Sequence, residues 1–158
     1  MRKIMLLLVV LGLAGSLWAA DPQLGTWKLN VAQSKVFQGG PLAKELTVVV
    51  RAVGDQIETT LTGTAANGSP ISYKIAYPKE GGTEKLVAAE PPSTAGDITR
   101  IMTIVSPWEI YGTTLKDGKQ QSLSHLIVSK DGKTERVTAK GKGSDGKPID
   151  RLLVFDKQ

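Results

Sequence analysis

Residues 108–140 read WEIYGTTLKDGKQQSLSHLIVSKDGKTERVTAK, and this stretch decides the fold class. Its apolar and polar residues alternate in short runs, without the three-and-four spacing of a helix. The runs are cut by Lys116-Asp117-Gly118-Lys119 and Lys130-Asp131-Gly132-Lys133, and Ser144-Asp145-Gly146-Lys147 repeats the motif at the same spacing. Asp-Gly supplies the positive φ that tight hairpins need, so each motif marks a tip between antiparallel strands. A calcium loop needs further carboxylates around each Asp-Gly, and none is present, so these are turns.

The same patterning extends in both directions. Strands are expected at Leu24–Val31, Glu45–Val53, Gln56–Thr64, Ile71–Tyr77, Thr83–Ala89, Ile98–Val105, Trp108–Leu115, Gln120–Ser129, Thr134–Lys140 and Pro148–Phe155. The links are short and rich in Gly, Asp, Asn and Pro, which favours an antiparallel meander over the crossovers of a sandwich. Closing the meander into an up-and-down barrel of eight to ten strands removes its edges. Two stretches interrupt the alternation. Val31–Leu42, with Asn30 as a cap, reads as one short helical segment followed by a covering loop. Glu90–Gly96, with two prolines that forbid a ladder, reads as a rim at the barrel mouth.

Met1–Ala20 has the layout of a secretory signal: Arg2 and Lys3, an apolar run from Ile4 to Leu17, then small residues. Cleavage is expected after Ala19 or Ala20, leaving residues 20–158 as one domain in the periplasm or outside the cell. The apolar run is shorter than the roughly 20 residues of a spanning helix, so the mature form is expected to carry no membrane span. The chain has no cysteine, which excludes a lipoprotein anchor, disulfides and thiol chemistry together. Its formal charge is +5, two of which come from Arg2 and Lys3. The lysines are scattered, with no basic block of the kind that binds nucleic acid. A monomer without metal or cofactor is expected.

Gly25-Thr26-Trp27-Lys28-Leu29 resembles the first strand of the calycin barrels, which comprise lipocalins and fatty-acid-binding proteins. The mature chain as a whole resembles a group of lipocalin-like bacterial secreted proteins. That likeness rests on the sequence from Gly25 to Asn30, on Ser34-Lys35, on Val128–Thr134 and on the ending Val154–Gln158. The resemblance implies that Trp27 plugs one barrel end under an arginine of a late strand, with Arg151 preferred and Arg100 or Arg136 as alternatives. Fatty-acid-binding members carry Arg-x-Tyr on the last strand to hold a carboxylate. Here it reads Arg151-Leu152-Leu153, so that route is not implied, and a fatty acid stays one candidate among apolar ligands.

Chemistry beyond binding is sparse. His125 stands alone among alternating residues, and no nucleophile elbow accompanies it, so neither a haem or metal ligand nor a triad is expected. Glu58, Glu84, Glu109 and Glu135 sit singly on separate strands, as solvated faces do. Arg100 shares a strand face with Ile98, Met102 and Ile104, which makes it either an internal anchor for an anion or a strand-end residue reaching to water. Tyr73 and Tyr77 share a face with Ile71 and Ile75. The expected ligand-binding set is Phe37, Tyr73, Tyr77, Arg100, Met102, Trp108, Tyr111 and Phe155. The function expected is that of an exported small-molecule carrier, not an enzyme. The alternative is a filled barrel that contacts other proteins.

Overall fold

The computed structural model describes residues 21–90, 98–143 and 145–158. The signal expected at Met1–Ala20 lies outside these residues, as does nearly all of the rim expected at Glu90–Gly96. Eleven strands form one antiparallel sheet: β1 (Gly25–Leu29), β2 (Lys35–Gln38), β3 (Glu45–Val53), β4 (Gln56–Thr64), β5 (Pro70–Pro78), β6 (Gly82–Glu90), β7 (Ile98–Ser106), β8 (Glu109–Lys116), β9 (Lys119–Val128), β10 (Thr134–Lys142) and β11 (Pro148–Lys157). From β3 to β11 each strand pairs with the next in the chain, and β11 returns to pair with β1, closing a barrel. The strands β1 and β2 lie along different lengths of β11, at Phe155–Lys157 and Asp150–Leu152. Together they fill one place in the wall, and the barrel has ten strand positions.

The short helix expected after the first strand is absent from the described residues. Asn30 does cap a turn, since its Oδ1 accepts from Gln33 N–H at 3.0 Å and its carbonyl accepts from Ser34 N–H at 3.0 Å. The turn ends there because the neighbouring wall claims Ser34: Val154 N–H donates to Ser34 Oγ at 2.9 Å, deep in the protein. A buried strand N–H must have a partner, and meeting that need returns the chain to the sheet as β2 instead of winding it further.

The expected hairpins are present. At the β8–β9 tip both Asp117 and Gly118 have positive φ, 52° and 71°, the requirement of a type I′ turn whose twist matches the strands it joins. Inside the barrel, one end is filled by Trp27, Leu29, Val48, Val50, Ile57, Tyr77, Met102, Ile110, Val128 and Phe155. Trp27 is fully buried there. Its indole N–H donates to Gln23 O at 2.9 Å, and Gln23 Nε2 donates to Pro107 O at 3.0 Å, so the chain before β1 is laced across the barrel floor.

The cation over the indole is Lys157, not Arg151. Lys157 Nζ stands 4.9 Å from the ring centroid and donates to Pro22 O at 2.9 Å. Register decides this, because β11 runs antiparallel to β1 and sets Lys157 directly opposite Trp27. Arg151 is six residues, roughly 20 Å of strand, nearer the other end.

Candidate functional site

The half of the barrel away from the floor is lined differently. On β7 the inward residues are Ile98, Arg100, Met102 and Ile104, while Thr99, Thr103 and Val105 are exposed. Arg100 opposes Glu84 of β6 and Thr114 of β8. Its Nη1 donates to Glu84 Oε2 at 3.1 Å, and its Nη2 donates to Ser124 Oγ at 3.1 Å. Ser124 in turn donates to the carbonyl of Gly112 at 3.1 Å. Gly112 makes this possible: a Cβ there would lie 2.5 Å from Ser124 Oγ and 2.9 Å from Arg100 Nε. The guanidinium lies against β8 in a space that only glycine leaves.

Tyr73 belongs to the same interior. It keeps 37% of its surface accessible, yet burial pushes its hydroxyl above the usual phenol range, with Arg100, Glu84 and Arg151 all near enough to act on it. A side chain that is both enclosed and accessible lines a concavity. The Glu84 and Arg100 side chains keep 10% and 30% of their surface. Burial raises the Glu84 carboxyl, opposed by the Arg100 charge and hydrogen bond. The interior past the floor is therefore a polar belt reached by water.

Two features lead to it. Among the described residues β6 and β7 pair only at Gly82–Met102, Thr83–Ile101 and Glu84–Arg100, so beyond Glu84 the two strands part. The lip of this opening carries Leu86 and Val87, both exposed. Beside β2 and the β10–β11 turn lies an open groove of about 770 Å³, lined by Gly39, Gly40, Gly143, Lys147, Ile149 and Arg151. Apolar ligands need enclosure, so this groove is an approach and not a holding site. Arg151 is in phase with Leu153 and Phe155 on β11 and links the groove to the barrel interior.

The chain matches no protein-family model. No curated protein matches it either. Two solved structures align over most of its length. One is EF1p2_mFAP2b bound to DFHBI, at 12% identity and TM-score 0.47, covering 89% of this chain and 97% of that one. The other is zebrafish ileal bile acid-binding protein complexed with cholic acid, at 12% identity and TM-score 0.49, covering 87% of this chain and 99% of that one. Likenesses of this size leave the family open.

The expected ligand-binding residues fall into five places. Tyr73 and Arg100 face the polar belt. Tyr77, Met102 and Phe155 are packed into the floor. Trp108 lies in the β7–β8 connection, and Tyr111 lies on the outer wall, where its ring stacks on His125 at 4.1 Å between centroids. His125 Nε2 meets Glu109 Oε1 at 2.8 Å. Phe37 stands at an irregularity in the β2–β11 pairing and is 64% exposed, while Val36 opposes Arg151. The sequence reading passed over Ser124 and took Glu84 for a solvated residue, whereas its side chain is nine-tenths out of water and paired with Arg100. It also took Glu135 for a solvated residue, but this residue is buried in the floor, between Phe155 and Val128 of the neighbouring strands. Burial lifts its pKa to about 7 against the pull of Lys157. No group of three metal-ligating side chains gathers among the described residues, and no helix among them is long and apolar enough to cross a membrane.

Proposed function

We propose that this chain is an exported binding or carrier protein that takes an elongated, largely apolar small molecule into the open half of its barrel. The observation that carries the reading is the enclosed yet accessible interior around Tyr73 and Arg100. A molecule entering past Leu86 and Val87 would leave water along its apolar length, at about 0.8 kcal/mol per buried methylene. Its polar end would be oriented by Arg100 and the Tyr73 hydroxyl. The belt has hydrogen-bonding groups but no paired nucleophile and base, which favours binding over catalysis. The signal-like Met1–Ala20 supports a place in the periplasm or outside the cell. Membership of a lipocalin-like bacterial secreted group, implied by Gly25–Asn30 and the chain ending, is part of the same proposal.

Native mass spectrometry of protein purified from its own cell envelope tests this. A co-purifying molecule of one-to-one stoichiometry supports the reading. A bare mass, together with no saturable uptake of neutral fluorescent lipids, rejects it. The second reading is a barrel that contacts another protein through its outer wall. It draws on the exposed Val105, Trp108 and Ile127 beside the Tyr111–His125 stack.

A further inference from the structure

The geometry points to Glu84 as the residue that sets charge selectivity in the barrel: it withholds Arg100 from anions, so the interior prefers a ligand with a neutral, oxygen-bearing head to one with a carboxylate. This rests on the proposed binding function and narrows its ligand class. An unpaired arginine inside a barrel would attract an acidic head. Here its charge is already met, because Glu84 Oε2 stands 3.1 Å from Nη1 with nine-tenths of the glutamate side chain out of water. A second carboxylate brought to Arg100 would have to be desolvated beside the first, and like charges in a partly dry space repel strongly. That is selection against a class of ligand by an unfavourable neighbour.

A neutral head meets no such penalty. A guanidinium has five N–H donors in a fixed fork, and contacts to Glu84 and Ser124 account for two. With 30% of the side chain accessible, remaining donors can meet a carbonyl or hydroxyl oxygen. Tyr73, held neutral by its surroundings, supplies a hydroxyl that both donates and accepts. Arg151, a second arginine on this side of the floor, lies on the open groove, where water and salt weaken its pull on a carboxylate.

The test is a fluorescence titration with two probes of one body, 11-(dansylamino)undecanoic acid and its primary amide. The wild-type barrel is expected to bind the amide at least about tenfold more tightly than the acid. Glu84→Gln keeps the hydrogen bond, removes the competing charge and is expected to reverse the order. If Glu84→Gln does not fold, the double variant Glu84→Gln with Arg100→Gln, which removes the whole pair, is expected to bring the two affinities together. An acid bound as tightly as the amide by wild type, or a ratio unmoved by either variant, overturns the inference and leaves the binding function standing. Failure of both probes to bind wild type removes the binding function and this inference with it.

Discussion

The two halves of this barrel interior use the same alternation of strand residues to opposite ends. The floor packs nine buried apolar side chains around Trp27, and its buried carboxyl, Glu135, feels the charge of Lys157 without a close ion pair among the described residues. The belt carries Glu84, Arg100 and Ser124, joined to one another, and Tyr73 on an equivalent inward position, still accessible to water. The floor is where stability is made, and the belt is where a ligand can be recognised. A residue facing inward in a barrel therefore has no fixed role until its distance from the closed end is known.

The sharpest way to break this contrast is at Trp27. Truncation to alanine leaves a large hole in a fully enclosed site and is expected to destabilise by about 3–5 kcal/mol, read by denaturant unfolding. An unchanged midpoint would show that the floor is not the seat of stability. Glu135→Gln tests the same half from the other side. The folded carboxyl titrates at about 7 against a usual 4.5, so the folded state holds a proton that the unfolded chain releases. Wild-type stability should fall as pH rises from 4.5 to 7 and stay lowered above that. At pH 8 the glutamine variant should be more stable than wild type by up to about 3 kcal/mol, at 1.36 kcal/mol per unit. At pH 4 the two should match. A difference that grows toward acid pH would contradict the burial of this group.

Gly112→Ala reaches the belt. The added methyl displaces Arg100 or Ser124, with an expected cost of about 2 kcal/mol from overpacking and a loss of affinity for any interior probe. Intact probe binding at reduced stability would separate the belt from recognition. Gly118→Val has the smallest effect, about 1 kcal/mol. A Cβ at Gly118 meets nothing within 4 Å, so the whole cost comes from placing a β-branched residue at a φ of +71°. Probe affinity should stay unchanged.

How much of this was legible in the sequence differs between the halves. Period-two alternation and Asp-Gly turns locate the strands well: β3 and β4 have the bounds that the pattern implies, Glu45–Val53 and Gln56–Thr64. The β2 strand was hidden because it is short and pairs only with the distant β11, while Ser34 just before it is held by Val154, and local propensity at Asn30–Ser34 registers neither. The Trp27 partner was misread because a motif names residue types, while the register of β11 against β1 decides which cation arrives. Glu135 did leave a signal. It is in phase with Val137 and Ala139, with Arg136 and Thr138 on the opposite face. Glu84 left almost none, since Gly82 and Leu86 on its face are separated from Arg100 by the whole β6–β7 link.

The central claim, that the belt is the recognition half, is tested most directly by NMR of the arginine side chains and tryptophan indoles during titration with the dansyl amide. The account predicts that the Arg100 Nε–H resonance moves in proportion to bound probe, while the indole N–H of Trp108, in the β7–β8 connection at the floor end, stays in place. A shift at Trp108 with Arg100 unmoved would put the binding surface at the β7–β8 connection and contradict the account.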